Sequence, residues 1–229
     1  MRSRSLITVA MAASVLLTAA IGNGLAVQVP AGRPSSDDPE AIVRRADRAL
    51  AMLKTLRAEF VQRVENPILE KTTTGRGTLL YRAPDRFRIA YRDPAGDLVV
   101  NDGTHVWIYL PSSQPDQVIR QRAAESGVQN PLTYLRDLHG GHIVRHAGVE
   151  TVSGRDADHL VLSPSGEKGN FERLDVWVDR TGGLVRQLRT EGVDGVVTTY
   201  TFQGLEPNVT LDASRFRFSA PRGVEVFDQ

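Results

Sequence analysis

Residues 77–120 read GTLLYRAPDRFRIAYRDPAGDLVVNDGTHVWIYLPSSQPDQVIR, and their patterning decides the fold class. Apolar and polar residues alternate with a period of two. Phe87, Ile89 and Tyr91 fall on one face and Arg86 and Arg88 on the other, while Val106, Ile108 and Leu110 oppose His105, Trp107 and Tyr109. Turn residues separate the runs at Asp93-Pro94-Ala95-Gly96 and Asn101-Asp102-Gly103. Such alternation belongs to consecutive antiparallel strands, each with one dry and one wet face. A broad sheet of this kind needs a cover for its apolar face: a helix, a second sheet or a lipid.

Upstream the period changes. Asp38 suits a helix N-cap, Pro39 the first helical position and Glu40 the positive helix end. Ile42, Ala46, Leu50, Leu53, Leu56 and Phe60 then recur at spacings of three and four, with Arg44, Arg45, Asp47, Arg48 and Lys54 on the other sides. The pattern predicts one amphipathic helix of about five turns, ending near Phe60. Strand periodicity begins at about Thr74.

Downstream, Pro131 opens a short apolar helix, Leu132–Leu138. Strands resume after Gly140-Gly141, with turns at Ser153-Gly154, Ser165-Gly166, Thr181-Gly182-Gly183 and Asp194-Gly195. A polar link, 206–214, leads to Phe216–Phe218 and a tail strand near Val224–Phe227. Roughly ten or eleven strands, one long helix and one short helix make an α+β chain built on a meandering antiparallel sheet. With no internal repeat and no break in composition, residues 37–229 read as a single domain.

Residues 1–26 have the layout of a secretory signal peptide: Arg2 and Arg4, the uncharged apolar run Leu6–Ile21, then Gly24-Leu25-Ala26. A membrane anchor is the competing reading, for which that run is short. Residues 27–36, VQVPAGRPSS, read as a flexible lead. The chain has no cysteine, which excludes a disulfide scaffold, thiol catalysis, thiolate metal sites and an N-terminal lipid anchor on cysteine. Setting aside Arg2 and Arg4 leaves 26 basic against 27 acidic residues. That balance argues against nucleic acid as a partner and gives no polybasic attraction to anionic membranes.

Catalytic signals are thin. There is no nucleophile elbow, dinucleotide fingerprint or phosphate loop. His139, His142 and His146 cluster near Asp137. On a helix, His142 and His146 would share a face as zinc ligands do. Gly140-Gly141 and Ile143-Val144 favour a strand instead, which sets that pair about 13 Å apart, too far for one metal. They read as solvated strand histidines, and His105 and His159 as structural. Asp37-Asp38 and the pair Asp156 and Asp158 are local to a cap and a hairpin flank. No metal or cofactor site is expected, and the chain reads as a non-enzyme.

Five segments in order resemble the periplasmic outer-membrane lipoprotein carrier family, LolA. Ala58-Glu59-Phe60-Val61-Gln62, at the end of the predicted helix, matches the family's Ala-x-Phe-x-Gln. Gly77-Thr78-Leu79 followed by Pro84 and Phe87 matches a strand pair; Asp102-Gly103, Val106-Trp107-Ile108-Tyr109 and Pro111 match a hairpin. Asn130-Pro131-Leu132 matches a lid helix, and Phe216-Arg217-Phe218 with Pro221-Arg222-Gly223-Val224 matches the family's ending.

This resemblance implies an open, unclosed antiparallel β-barrel of about eleven strands, with a helical lid enclosing an apolar cavity. It implies a monomeric carrier that takes acylated lipoproteins from an inner-membrane ABC lipoprotein-release transporter. The cargo would cross the periplasm to an outer-membrane lipoprotein receptor that is LolB-like. Expected lipid-binding residues are Leu50, Leu53, Phe60, Leu79, Phe87, Trp107, Tyr109, Leu132 and Leu135. Ordinary core packing competes at each, because alternation does not say which face lines the cavity. The alternative function on the same half-barrel is binding or sensing another lipid or glycolipid, and behind it a hydrolase or metal enzyme. One departure stands out: the family's arginine before the strand proline, thought to latch the lid, is here Ala83, and Arg82 points to the opposite face.

Overall fold

The structure, a computed structural model, describes residues 38–126, 131–135, 138, 142–165 and 171–229. The signal-peptide and lead expectations, with Asn130, Asp137, His139, Gly140-Gly141 and Gly166, lie outside these residues. Helix α1 spans Pro39–Ala51. Twelve described strands follow: β1 Thr55–Asn66, β2 Lys71–Arg82, β3 Arg86–Asp93, β4 Ala95–Asn101, β5 His105–Tyr109, β6 Gln117–Arg122, β7 His142–Val152, β8 Arg155–Pro164, β9 Arg173–Asp179, β10 Val185–Glu191, β11 Val197–Pro207 and β12 Glu225–Asp228. Two short 3-10 helices interrupt them at Pro131–Leu135 and Ala213–Phe216.

All twelve strands join one sheet in the order β12-β6-β5-β4-β3-β2-β1-β11-β10-β9-β8-β7. Every pairing is antiparallel except β12 with β6. β7 and β12 terminate the order without pairing to each other, so the barrel is unclosed. Hairpins joining neighbours in sequence account for most of the ladder, as tight turns between alternating runs require. The expected open, largely antiparallel half-barrel is what the chain forms.

The first helix stops at Ala51, not near Phe60. Leu56, Ala58 and Phe60 satisfy a period of two as well as helical spacing, and the strand wins. β1 is flanked on both sides, with Phe60 opposite Gly77 of β2 and Phe202 of β11. Two ladders of backbone hydrogen bonds, plus burial of Leu56, Ala58 and Phe60 on one face, outweigh continued helix. The Ala-x-Phe-x-Gln segment therefore lies on a central strand. β2 likewise starts at Lys71, ahead of the expected Thr74.

Directly opposed residues share a face of the sheet. One row runs Leu79, Ile89, Val99, Ile108 and Ile119 across β2 to β6; the neighbouring row, on the other face, runs Leu80, Arg88, Val100, Trp107 and Arg120. The first row lies on the covered face, whose core continues through Phe60, Phe202, Leu188, Val176 and Leu160. Ile42, Val43 and Ala46 of α1 and Leu132, Leu135 and Leu138 belong to that same buried cluster. The second face is plugged by the chain end: the Phe218 ring lies 5.5 Å from that of Trp107 and 6.1 Å from that of Tyr109.

Candidate lipid-binding site

Helix α1 begins where the sequence places it. The Asp38 carboxylate accepts from the Glu40 backbone N–H at 3.2 Å, and Pro39 occupies the first position. Its apolar stripe meets the short 3-10 helix over the end of β1. Ala46, Leu50, Leu53 and Leu56 close on Leu132 and Leu135, with Leu184, Val185 and Leu205 completing an apolar crevice. Four of the expected lipid residues, Leu50, Leu53, Leu132 and Leu135, thus converge from segments about eighty residues apart. The free space between them is only about 20 Å³, room for one water-sized sphere. An acyl chain fits there only if α1 and the 3-10 helix draw back from the sheet.

Two contacts hold α1 down. Gly183, in the β9–β10 turn, has φ +73, and a Cβ added to it would sit 2.8 Å from the Arg45 carbonyl oxygen and 3.2 Å from the Ala49 Cβ. Only glycine permits both that backbone angle and that approach. The second contact is an ion pair from Arg45 Nη2 to Asp158 Oδ2. Asp158 is 0% exposed on β8; His146 Nε2 stands 3.3 Å and Arg180 Nε 3.7 Å from its other oxygen. That His146 contact is off the hydrogen-bonding line, which leaves both atoms without a hydrogen bond. Asp158 was legible only as a hairpin flank, and nothing in the sequence pairs it with residue 45. His146, 11% exposed, is packed against this carboxylate and is not the solvated histidine expected.

Farther along the covered face the lining turns aromatic. The Phe60 ring lies 5.2 Å from that of Tyr91, edge-on, and 6.0 Å from that of Tyr200. Gln62 bridges the two tyrosines: the Tyr91 hydroxyl donates to Gln62 Oε1, and Gln62 Nε2 donates to the Tyr200 hydroxyl, both at 2.8 Å. Burial pushes both phenols above their ordinary range, so they stay neutral. His142 stacks on Phe171 at 5.5 Å. Sequence reading named Gln62 only as the end of the Ala-x-Phe-x-Gln match and missed this polar island, because nothing in the pattern pairs residue 62 with residues 91 and 200.

Of the remaining expected residues, Phe60, Leu79 and Phe87 lie in the buried wall of the covered face. Trp107 and Tyr109 lie on the opposite face, away from the crevice. The Trp107 indole N–H donates to Asp102 Oδ2 at 2.9 Å, and Arg120 stacks over its ring at 5.4 Å. Ala83, in place of an arginine, donates its backbone N–H to Lys54 at 2.8 Å. His142 and His146 are both on β7, and no metal-ligand cluster occurs among the described residues.

A second polar cluster sits on the outer face. His159 stacks on Trp177 at 4.2 Å, with its ring nitrogens 2.9 Å from Glu150 Oε1 and 2.7 Å from Asp175 Oδ1. Burial pushes the Asp175 carboxyl up, but hydrogen bonds from His159 and Arg173 and their positive charges overcome it and hold the group well below the usual carboxylate range. Both ring nitrogens of His159 are engaged by carboxylates, and the trio ties β7, β8 and β9 together across the sheet.

The sequence model of one family, outer membrane lipoprotein carrier protein LolA, matches residues 51–219. The outer-membrane lipoprotein carrier protein of Haemophilus influenzae (strain PittEE) is 31% identical over 180 residues, 79% of this chain and 83% of its own. That of Haemophilus ducreyi is 28% identical over 187 residues, 82% and 85% of the two chains. Among solved structures, an uncharacterized conserved protein from Thermus thermophilus has a TM-score of 0.53 at 15% identity, covering 83% of this chain and 98% of its own. Pseudomonas aeruginosa MucB, solved with MucA, has a TM-score of 0.51 at 16% identity, covering 80% and 61%. These structures share the fold alone. The family match and the relatives cover most of the sequence, and the chain belongs to the LolA family of periplasmic outer-membrane lipoprotein carrier proteins.

Proposed function

We propose that the covered face of the half-barrel holds the acyl chains of lipoproteins, with α1 and the Pro131–Leu135 helix as the cover that moves. The observation that carries this reading is the convergence of Leu50, Leu53, Leu132 and Leu135 on one crevice over an already apolar sheet. A cargo with three acyl chains has about 45 methylenes; at about 0.8 kcal/mol each, exposing them to water costs about 36 kcal/mol. Unaided passage through an aqueous compartment is therefore negligible. An inner-membrane ABC transporter would load the carrier, since the sequence has no phosphate loop of its own to drive that step. An outer-membrane receptor with higher affinity for the chains would unload it. The Gln62-Tyr91-Tyr200 island offers hydrogen bonds to the ester or amide groups where the chains join the cargo. The protein itself performs no covalent chemistry in this scheme.

Native isolation from the periplasm, with mass spectrometry of everything bound, tests the proposal. Acylated polypeptide should co-purify. Preparations that carry only a free lipid or a glycolipid would instead support a binder or sensor of such lipids on the same half-barrel.

A further inference from the structure

The hairpin joining β1 and β2 ends in Pro67-Ile68-Leu69-Glu70, where Ile68 is 75% and Leu69 68% exposed. Beside it, the turn between β10 and β11 exposes 58% of Val193. β1 pairs with β11, Glu65 opposite Val197, so the two tips stand side by side at one end of the sheet. Three large apolar side chains left in water on two neighbouring tips are unusual for a surface with no use for them.

Local bonding holds these side chains out. Asn66 Oδ1 accepts from the Leu69 backbone N–H at 2.9 Å, and Glu70 turns the chain at φ +48. In the neighbouring tip, Asp194 Oδ1 accepts from the Val196 N–H at 3.0 Å. Pro67 packs against Gly195, where an added Cβ would lie 3.3 Å from the proline Cγ. The tips are thus formed and tied to each other while their apolar residues remain wet.

We propose that the paired tips are a membrane-docking site, with Ile68 and Leu69 entering the outer layer of a lipid bilayer. Shape and charge select this partner. A projecting tip offers no flat area to a folded protein, whereas a fluid bilayer closes around any small apolar protrusion. The rim carries both signs, with Arg63 bonded to Glu65 at 3.0 Å and Lys71 next to Glu70, which complements a zwitterionic headgroup layer better than an anionic one. Leu56 at the crevice lies ten residues back along β1, about 33 Å from the tip, so the lid can open while the protein is docked. The inference deepens the carrier reading by naming the surface that meets a donor or acceptor membrane, yet its test needs no cargo.

The test is flotation of the mature chain with phosphatidylcholine vesicles at low and high salt. Wild type should float at both, and the Ile68→Ser/Leu69→Ser double variant should lose at least tenfold in partitioning. The chain lacks cysteine, so Leu69→Cys accepts a single polarity-sensitive fluorophore, whose emission should shift to the blue on the same vesicles. This second readout stands whether or not the double variant folds. Failure of wild type to float, equal flotation of a folded double variant, binding that needs phosphatidylglycerol and vanishes at high salt, or a blue shift with a protein partner but not with vesicles would each overturn the proposal. Flotation of the cargo-free chain decides this inference and co-purification of acylated polypeptide with wild type decides the carrier reading, so failure of one is distinguishable from failure of the other.

Discussion

Removing Arg45 should loosen the lid without touching the sheet. The Asp158 carboxylate it pairs with is 0% exposed, and Arg45 itself is 25% exposed. In Arg45→Gln the buried carboxylate keeps only His146 at 3.3 Å, poorly aligned, and Arg180 at 3.7 Å. Breaking a buried pair from one side costs about 3–5 kcal/mol. Partial exposure of Arg45 and the nearness of Arg180 bring this case below that range, to about 2–3 kcal/mol. For a domain of this size that corresponds to a melting temperature lower by about 5–10 °C. Calorimetry of Arg45→Gln, Asp158→Asn and the double variant gives the coupling energy, which should exceed about 1 kcal/mol. Hydrogen exchange should show α1 amides losing protection while β1 and β2 keep theirs, because only the helix hangs on this pair. A coupling energy within about 0.5 kcal/mol of zero, or α1 protection equal to wild type, would refute the latch.

Three further outcomes follow from the same contacts. Leu135→Asp or Leu50→Asp puts a charge into the crevice and should impair loading; wild-type lipoprotein yield in a complementation assay would contradict the lipid role of these residues. Gly183→Val meets both a positive φ and the Arg45 carbonyl at 2.8 Å; it should cost about 1–3 kcal/mol and displace α1, measured by thermal melting and by a distance probe between α1 and β10. Asp175 has a folded-state pKa held far below its unfolded value of about 3.9, so its contribution is complete above that value and is lost as the pH falls below it. Asp175→Asn should be less stable at neutral pH and should flatten the acid limb of the stability profile below about pH 4, whereas an unchanged acid limb would show that the His159-Arg173 bonds are not formed in solution.

Period-two alternation was enough to locate β3 and β5, where buried Phe87, Ile89 and Val106 alternate with more exposed neighbours. It failed at Leu53–Phe60, where apolar spacing suits a helix and a strand alike; only the flanking strands β2 and β11, distant in sequence, decide between them. The four crevice leucines were named from the family resemblance, and the apolar stripe of α1 by itself suits ordinary core packing equally well. Trp107 and Tyr109 illustrate the opposite case. Alternation showed that they share a face but not which face α1 covers, and the Phe216–Phe218 segment that packs on them lies more than a hundred residues away. Arg45 and Asp158 were invisible for a related reason: an ion pair between a helix and a strand 113 residues apart leaves no periodic trace.

If the crevice leucines hold acyl chains as proposed, they also set the conditions for exchange. Drawing the lid back exposes Leu50, Leu53, Leu132 and Leu135 and strips Asp158 of its cation. Burial of Leu53, Leu132 and Leu135 at about 2 kcal/mol each, with about half that for the half-buried Leu50, makes spontaneous opening a rare event, of order one molecule in a hundred thousand before the ion pair is counted. An acyl chain entering the gap covers the same leucines again, so the apolar cost of opening is largely returned once cargo is in place. The ion pair is not replaced in this way, and it weakens cargo binding by whatever it contributes to the closed form. A carrier built so would bind less tightly than its apolar area suggests, which is what lets it give the cargo up. Arg45→Gln should therefore hold acyl chains more strongly than wild type and release them more slowly to an acceptor, although it folds less stably. Slower release combined with lower stability is a pairing that a purely structural role for Arg45 does not produce.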